Sequence, residues 1–214
     1  MLQVVLLGGL LAAVLVAGPA TADGEWQMRH EQGELKVESR PYATSSIEEF
    51  RGQTTVNATL PAVIALLRDA PNNRNWVYRS GGARILASEG LARTWVYGVV
   101  DAPAPMQDRD TIVRFDLAQD PVSRVVTIDI VNQPLYLPEE PGRVRVPDFG
   151  GFWRLEPIGN SDIRVTYQVY GDPGGWVPVW LANYAALRSV VGTLEAMPAA
   201  LKRYENSEVP GIQR

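Results

Sequence analysis

Apolar and polar side chains take turns in short runs along the early part of the chain. Trp26 to His30, Glu34 to Ser39 and Ile47 to Val56 are such runs, separated by Gly33 and Pro41, which predicts three strands with tight connections. Thr59-Leu60-Pro61 then carries a helix-opening signature, a hydroxyl cap followed by a proline in the first turn, where its missing N–H is no loss. Val63, Ile64, Leu66 and Leu67 continue at helical spacing over Ala62 to Asp69, and Pro71-Asn72-Asn73 ends the helix. From Ala83 onward strands return: Ala83 to Glu89 and Leu91 to Val100 joined near Gly90, then Asp110 to Leu117 and Val122 to Val131. Two more fall near Phe149 to Glu156 and Ile163 to Tyr170, beyond a proline-interrupted stretch from Pro134 to Pro147. Ile163, Val165, Tyr167 and Val169 share one face against Arg164, Thr166 and Gln168, the pattern of a half-buried antiparallel strand.

The tail changes period. Trp180, Tyr184, Leu187, Val191, Leu194 and Leu201 form one helical stripe, opened by Gly174-Gly175-Trp176-Val177-Pro178 and expected to kink or end at Pro198. The expected class is α+β: a curved antiparallel sheet with a long C-terminal helix covering its concave face. Where helix and sheet do not meet, an apolar cavity remains.

Ahead of this body, Val4 to Ala17 is an apolar run closed by Gly18-Pro19 and the small residues Ala20-Thr21-Ala22. That is the pattern of an export signal cleaved after Ala22, and it is shorter than the roughly 20 residues of a spanning helix. An uncleaved membrane anchor is the alternative. Residues 23–214 read as one domain, without repeat or linker.

Composition narrows the chemistry. The 214 residues contain no cysteine and one histidine, so disulfides, thiolate sites, cysteine nucleophiles and clustered-histidine zinc sites are excluded. An exported chain without cysteine fits the bacterial periplasm or a secreted bacterial protein. The net charge of −4 speaks against nucleic acid, which requires a basic footprint.

Five stretches then agree in order with one family. Pro103-x-Pro105-x-x-Asp108-Arg109-Asp110 followed by Thr111-Ile112-Val113 resembles the loop-to-strand signature of START (steroidogenic acute regulatory protein-related lipid transfer) domains. Leu66-Leu67-x-Asp69 followed by Trp76 resembles the family's helix-and-tryptophan segment, and Val144-Arg145-x-x-x-Phe149-x-Gly151-x-Trp153-x-Leu155-x-Pro157 one of its strands. Tyr167 with Asp172-Pro173-x-Gly175-Trp176-Val177-Pro178 resembles its last strand and turn, and Trp180-Leu181-Ala182-Asn183 the start of its lid helix. The stretches run from Leu66 to Asn183 within a resemblance that covers roughly residues 30 to 204, a consistency across levels that single motifs lack.

The resemblance implies a helix-grip fold with a tunnel for one lipid, gated by Asp101 to Asp108 and the C-terminal helix, and no cofactor. It implies a sterol, phospholipid or fatty-acid-like ligand, transient membrane contact and a monomer. Polyketide cyclases share the superfamily, so a cyclase/aromatase-type enzyme is one alternative and an envelope interaction module without ligand is another. Val96, Val113, Phe115, Ile128, Trp153, Val165, Tyr167, Trp180, Tyr184, Leu187 and Val191 are the candidate tunnel residues, with Arg109 and Arg145 as polar candidates. Some sterol-binding members carry an acid–base pair where this chain has Val96 and Phe115, which implies a tunnel without a charged anchor.

Simpler roles stand beside these. The C-terminal stripe is core in any case. Arg109-Asp110 reads as a salt bridge at a strand start, Arg145 as a loop arginine or a lipid-phosphate ligand, and His30 as a surface histidine. Asn183 either supports the helix start or brings a polar group to the tunnel mouth. Pro134 to Pro147 reads as a surface loop.

Overall fold

The computed structural model describes residues 24–43, 45–159 and 161–213. The expected export segment, residues 1–22, lies outside the described residues. Three strands open the body: β1 (Gln27–Gln32), β2 (Leu35–Pro41) and β3 (Glu48–Asn57). Gly33, at φ 57°, makes the turn between the first two. In β3 every second residue from Phe50 to Val56 is buried, and the sheet gains its inner face there.

Helix α1 (Leu60–Arg68) begins as the residues require: the Thr59 hydroxyl accepts from the Ala62 N–H at 3.3 Å. Its Leu60, Val63, Ile64 and Leu66 are buried against the sheet. The Pro71-Asn72-Asn73 stretch does end α1, and the chain continues as a 3-10 turn over Ala70–Asn75. The hairpin of β4 (Ser80–Glu89) and β5 (Arg93–Val100) turns at Gly90, and β6 (Asp108–Gln119) and β7 (Val126–Asn132) follow. β7 starts four residues later than the apolar pattern suggests. Asp120 accepts from the Val122 and Ser123 amides and the Ser123 hydroxyl, which winds 120–125 into a turn and holds the carboxyl below its usual range.

The last strands are β8 (Arg143–Arg145), β9 (Asp148–Ile158) and β10 (Asp162–Asp172), before helix α2 (Val179–Leu201). Among the described residues the strands form one sheet in the order β1-β2-β3-β10-β9-β7-β6-β5-β4, antiparallel throughout, with β8 added parallel to the start of β6. Gly151 lets β9 pair closely with β10: at φ 146° it occupies a conformation few other residues adopt, and a Cβ there would lie 1.9 Å from the Gln168 carbonyl oxygen.

α2 grips the sheet through its C-terminal half. Val190, Val191, Leu194, Met197 and Leu201 are buried, and Gly52 of β3 leaves room for Leu194 and Val190, which a Cβ would approach to 2.4 and 2.6 Å. Pro198 does not end the helix, which runs on to Leu201 because Met197 and Leu201 anchor the final turn in the core. Tyr204 locks that end, accepting from Asn72 Nδ2 at 2.9 Å and donating to Asp69 Oδ2 at 2.6 Å.

Pro134 to Pro147 is not a free surface loop. It contains β8 and folds over the outer face of β5 and β6, where Tyr136 stacks near Trp95 and Arg143 donates to the Tyr97 hydroxyl at 2.9 Å. Among the described residues no helix is long and apolar enough to cross a membrane.

Candidate functional site

Strand register builds one apolar wall on the inner face of the sheet. Thr94 of β5 lies opposite Phe115 of β6, which lies opposite Ile130 of β7. One step along, Leu117 faces Ile128, Ile128 faces Trp153 of β9, and Trp153 faces Tyr167 of β10. Trp153 and Tyr167 stack with ring centroids 3.8 Å apart and planes 9° from parallel. Between this wall, the C-terminal end of α1, the following 3-10 turn and Thr193 of α2 lies a cavity of about 130 Å³. Leu67, Arg68, Asn73, Trp76 and Val77 close it on the helical side, and Val96 and Phe149 complete the sheet side.

Its electrostatics are spare. Among the described residues Arg68 is the one charged residue in the lining, and it donates to the backbone carbonyls of Leu91 at 2.8 Å and Gly90 at 3.2 Å. Burial lowers its pKa. Burial likewise pushes the Tyr167 phenol up, which keeps it neutral. Thr193 accepts from the Tyr78 N–H at 3.2 Å. Asn73 Oδ1, Trp76 Nε1 and Thr94 Oγ1 are buried with no partner in the protein.

Of the candidate residues, Val96, Phe115, Ile128, Trp153 and Tyr167 line this cavity. Val113, Val165 and Val191 are buried beyond it in solid core, and Leu187 packs partly buried against that core. Trp180 and Tyr184 are a correction to the expected stripe, being 71% and 58% exposed. The stripe is continuous along α2, but the body beneath it stops short of the first two turns. Trp176 and Val179 are exposed beside them, and Pro173 to Leu187 contains no charged residue. Asn183 supports the helix start: it accepts from the Glu48 N–H at 3.0 Å and donates to the Ser46 carbonyl at 3.3 Å.

The two arginines are placed differently from expectation. Arg109 does not pair with Asp110, because neighbours in a strand point to opposite faces. It donates instead to the carbonyls of Gln107 and Pro173, joining the start of β6 to the turn before α2. Asp110 pairs with Arg145 through two bonds of 2.9 and 3.0 Å. Arg145 is therefore neither a loop arginine in solvent nor part of the cavity lining: it is buried, and also donates to the carbonyls of Pro134, Leu137 and Pro138. His30 sits half-buried on the edge strand β1, outside the lining.

The residues missed by sequence reasoning are the polar ones. Thr94 was reachable by parity with Val96, two positions on. Asn73 and Arg68 carried only a helix-stop signal, and their place in a cavity wall depends on how α1 and the following turn meet the β4–β5 hairpin.

A single antiparallel sheet closed around an apolar cavity by a C-terminal helix defines a helix-grip protein. No family model matches the chain. A solved STAR-related lipid transfer protein fragment from Xanthomonas axonopodis is 31% identical, with a TM-score of 0.77 over 83% of this chain and 98% of that one. An uncharacterised protein of Pseudomonas aeruginosa is 32% identical over 195 residues, 91% of this chain and 95% of that one. The phosphatidylcholine transfer protein of Mus musculus is 24% identical over 191 residues, 87% of this chain and 88% of that one. This chain belongs to the START family.

Proposed function

We propose that the protein binds one lipid between sheet and helix and carries or senses it in the bacterial cell envelope, in the periplasm or secreted. The observation that carries this reading is the apolar cavity built by Phe115, Ile128, Ile130, Trp153 and Tyr167. The transfer activity in the names of the Xanthomonas and mouse relatives points the same way. Binding requires no covalent step, since removing apolar surface from water supplies about 25 cal/mol per Å². Among the described residues neither histidine nor carboxylate stands in the lining, which favours a carrier over a cyclase-type enzyme.

The cavity as it stands admits a group about the size of benzene, which fits a dry site of roughly 150 Å³. A lipid chain is larger, so loading requires the cavity to widen. α2 is suited to this: its C-terminal half is buried and locked by Tyr204, while its first two turns carry the exposed Val179, Trp180 and Tyr184 and are tied down through Asn183. Lifting those turns with the Asp101–Asp108 loop opens the cavity, a gating motion. The exposed, uncharged Trp176–Tyr184 surface is suited to transient membrane contact, because tryptophan and tyrosine favour the bilayer interface. The protein acts as a monomer in this reading. Transfer of fluorescent lipids between vesicles, with and without the protein, tests it: accelerated exchange supports the proposal, and exchange at the uncatalysed rate overturns it.

A further inference from the structure

We propose that the cavity selects a lipid with an uncharged, hydroxyl-bearing head, held at the wall formed by Asn73, Trp76 and Thr94. The inference rests on the lipid-binding reading and names the ligand class for that same site. Among the described residues, five buried side-chain atoms lack a partner in the protein: Asn73 Oδ1, Trp76 Nε1, Thr94 Oγ1, His30 Nε2 and Asn132 Oδ1. The first three belong to residues lining one cavity; the other two lie outside its lining. Buried polar groups are costly to leave unpaired, so three carried by residues of one lining point to a ligand that reaches and completes them as the cavity widens. Trp76 and Thr94 are only 6% and 5% exposed. Trp76 closes the 3-10 turn and donates its amide to the Asn73 carbonyl at 3.2 Å, which keeps the two residues close.

The atom types decide the chemistry. The indole N–H only donates, the amide oxygen only accepts, and the threonine hydroxyl does both. One ligand hydroxyl accepts from Trp76 while donating to Asn73 or Thr94. A phosphodiester or ester oxygen accepts but cannot satisfy Asn73 Oδ1, and a trimethylammonium group can do neither. No carboxylate in the wall balances a cationic head, and the Arg68 guanidinium already holds the β4–β5 turn through Gly90 and Leu91. The apolar tail then runs along Phe115, Ile130 and Trp153.

The test incubates the full chain with phosphatidylethanolamine–phosphatidylglycerol vesicles carrying equal amounts of hexadecanol, hexadecyl methyl ether, palmitate and phosphatidylcholine. Mass spectrometry of the re-isolated protein then measures retained lipid. Hexadecanol is expected to exceed its methyl ether by about tenfold, the effect of one to two hydrogen bonds. Thr94→Val and Trp76→Phe are each expected to lower hexadecanol about three- to tenfold, and to lower the ether less, because its oxygen accepts from Trp76 but has no hydrogen to donate. Thr94→Val also removes an unpartnered hydroxyl, so the empty protein is expected to melt no lower than wild type. Equal retention of alcohol and ether, preference for palmitate or phosphatidylcholine, or variants that lower alcohol and ether alike would overturn the head site while leaving lipid binding intact. Retention of no lipid of any kind would overturn the lipid-binding reading itself.

Discussion

Removing the charge of Asp110 is expected to loosen the outer face of the sheet. The Asp110 and Arg145 side chains are 1% and 4% exposed, and two near-parallel bonds of 2.9 and 3.0 Å join them. At an effective dielectric of about 20 and a charge separation of about 4 Å, their attraction is about 4 kcal/mol, largely offset by the cost of taking both charges from water. Asp110→Asn removes the attraction and leaves that cost on Arg145, so the loss is about 3–5 kcal/mol. In a domain of this size each kcal/mol moves the melting temperature by roughly 2–4 °C, which gives a drop of about 6–20 °C. Arg145 also holds the carbonyls of Pro134, Leu137 and Pro138, so amide exchange across 134–142 is expected to accelerate beyond that of β10. The double variant Asp110→Leu with Arg145→Met removes both charges and should recover much of the loss. Calorimetry and exchange mass spectrometry read these outcomes. A drop under about 3 °C for Asp110→Asn, or a double variant less stable than the single, would refute the reasoning.

Three further outcomes follow from the geometry. Asn183→Ala removes two contacts that tie α2 to Ser46 and to Glu48 at the start of β3, so lipid release should quicken several-fold at a stability cost of about 1 kcal/mol; an unchanged release rate in stopped-flow fluorescence contradicts the lid assignment. Trp176→Ala with Trp180→Ala alters exposed side chains, so stability should change by less than about 0.5 kcal/mol per site while vesicle association weakens; unweakened flotation with vesicles argues against membrane contact there. Burial raises the Tyr167 phenol pKa, so above about pH 10 the unfolded chain releases this proton first, and stability falls by up to about 1.4 kcal/mol per pH unit. Tyr167→Phe should flatten that alkaline slope in urea titrations; an identical slope would show that the phenol is not the buried group responsible.

All strands but the short β8, and both helices, were legible because each carries its own period. β10 shows this well: Ile163, Val165 and Val169 are buried on the face that their alternation marks. Relations across the sheet were much less visible. Asp110 and Arg145 are 35 residues apart, and the adjacent Arg109 competes for the assignment until strand parity separates the two. On α2 the apolar stripe was correct, but a stripe carries no information on where the surface beneath it ends; hence Trp180 and Tyr184 stand in solvent. The apolar lining of Val96, Phe115, Ile128, Trp153 and Tyr167 followed from alternation and family resemblance together. Asn73 and Thr94 did not follow, because an unpaired polar atom is a property of the packed molecule and leaves no mark on hydropathy.

Native mass spectrometry of the full protein, purified from its own source without detergent, tests the central claim most directly. The account predicts a population heavier than the chain by the mass of a single lipid, which exchanges when vesicles are added. Protein at the bare chain mass throughout, with no lipid gained from any vesicle, would contradict it.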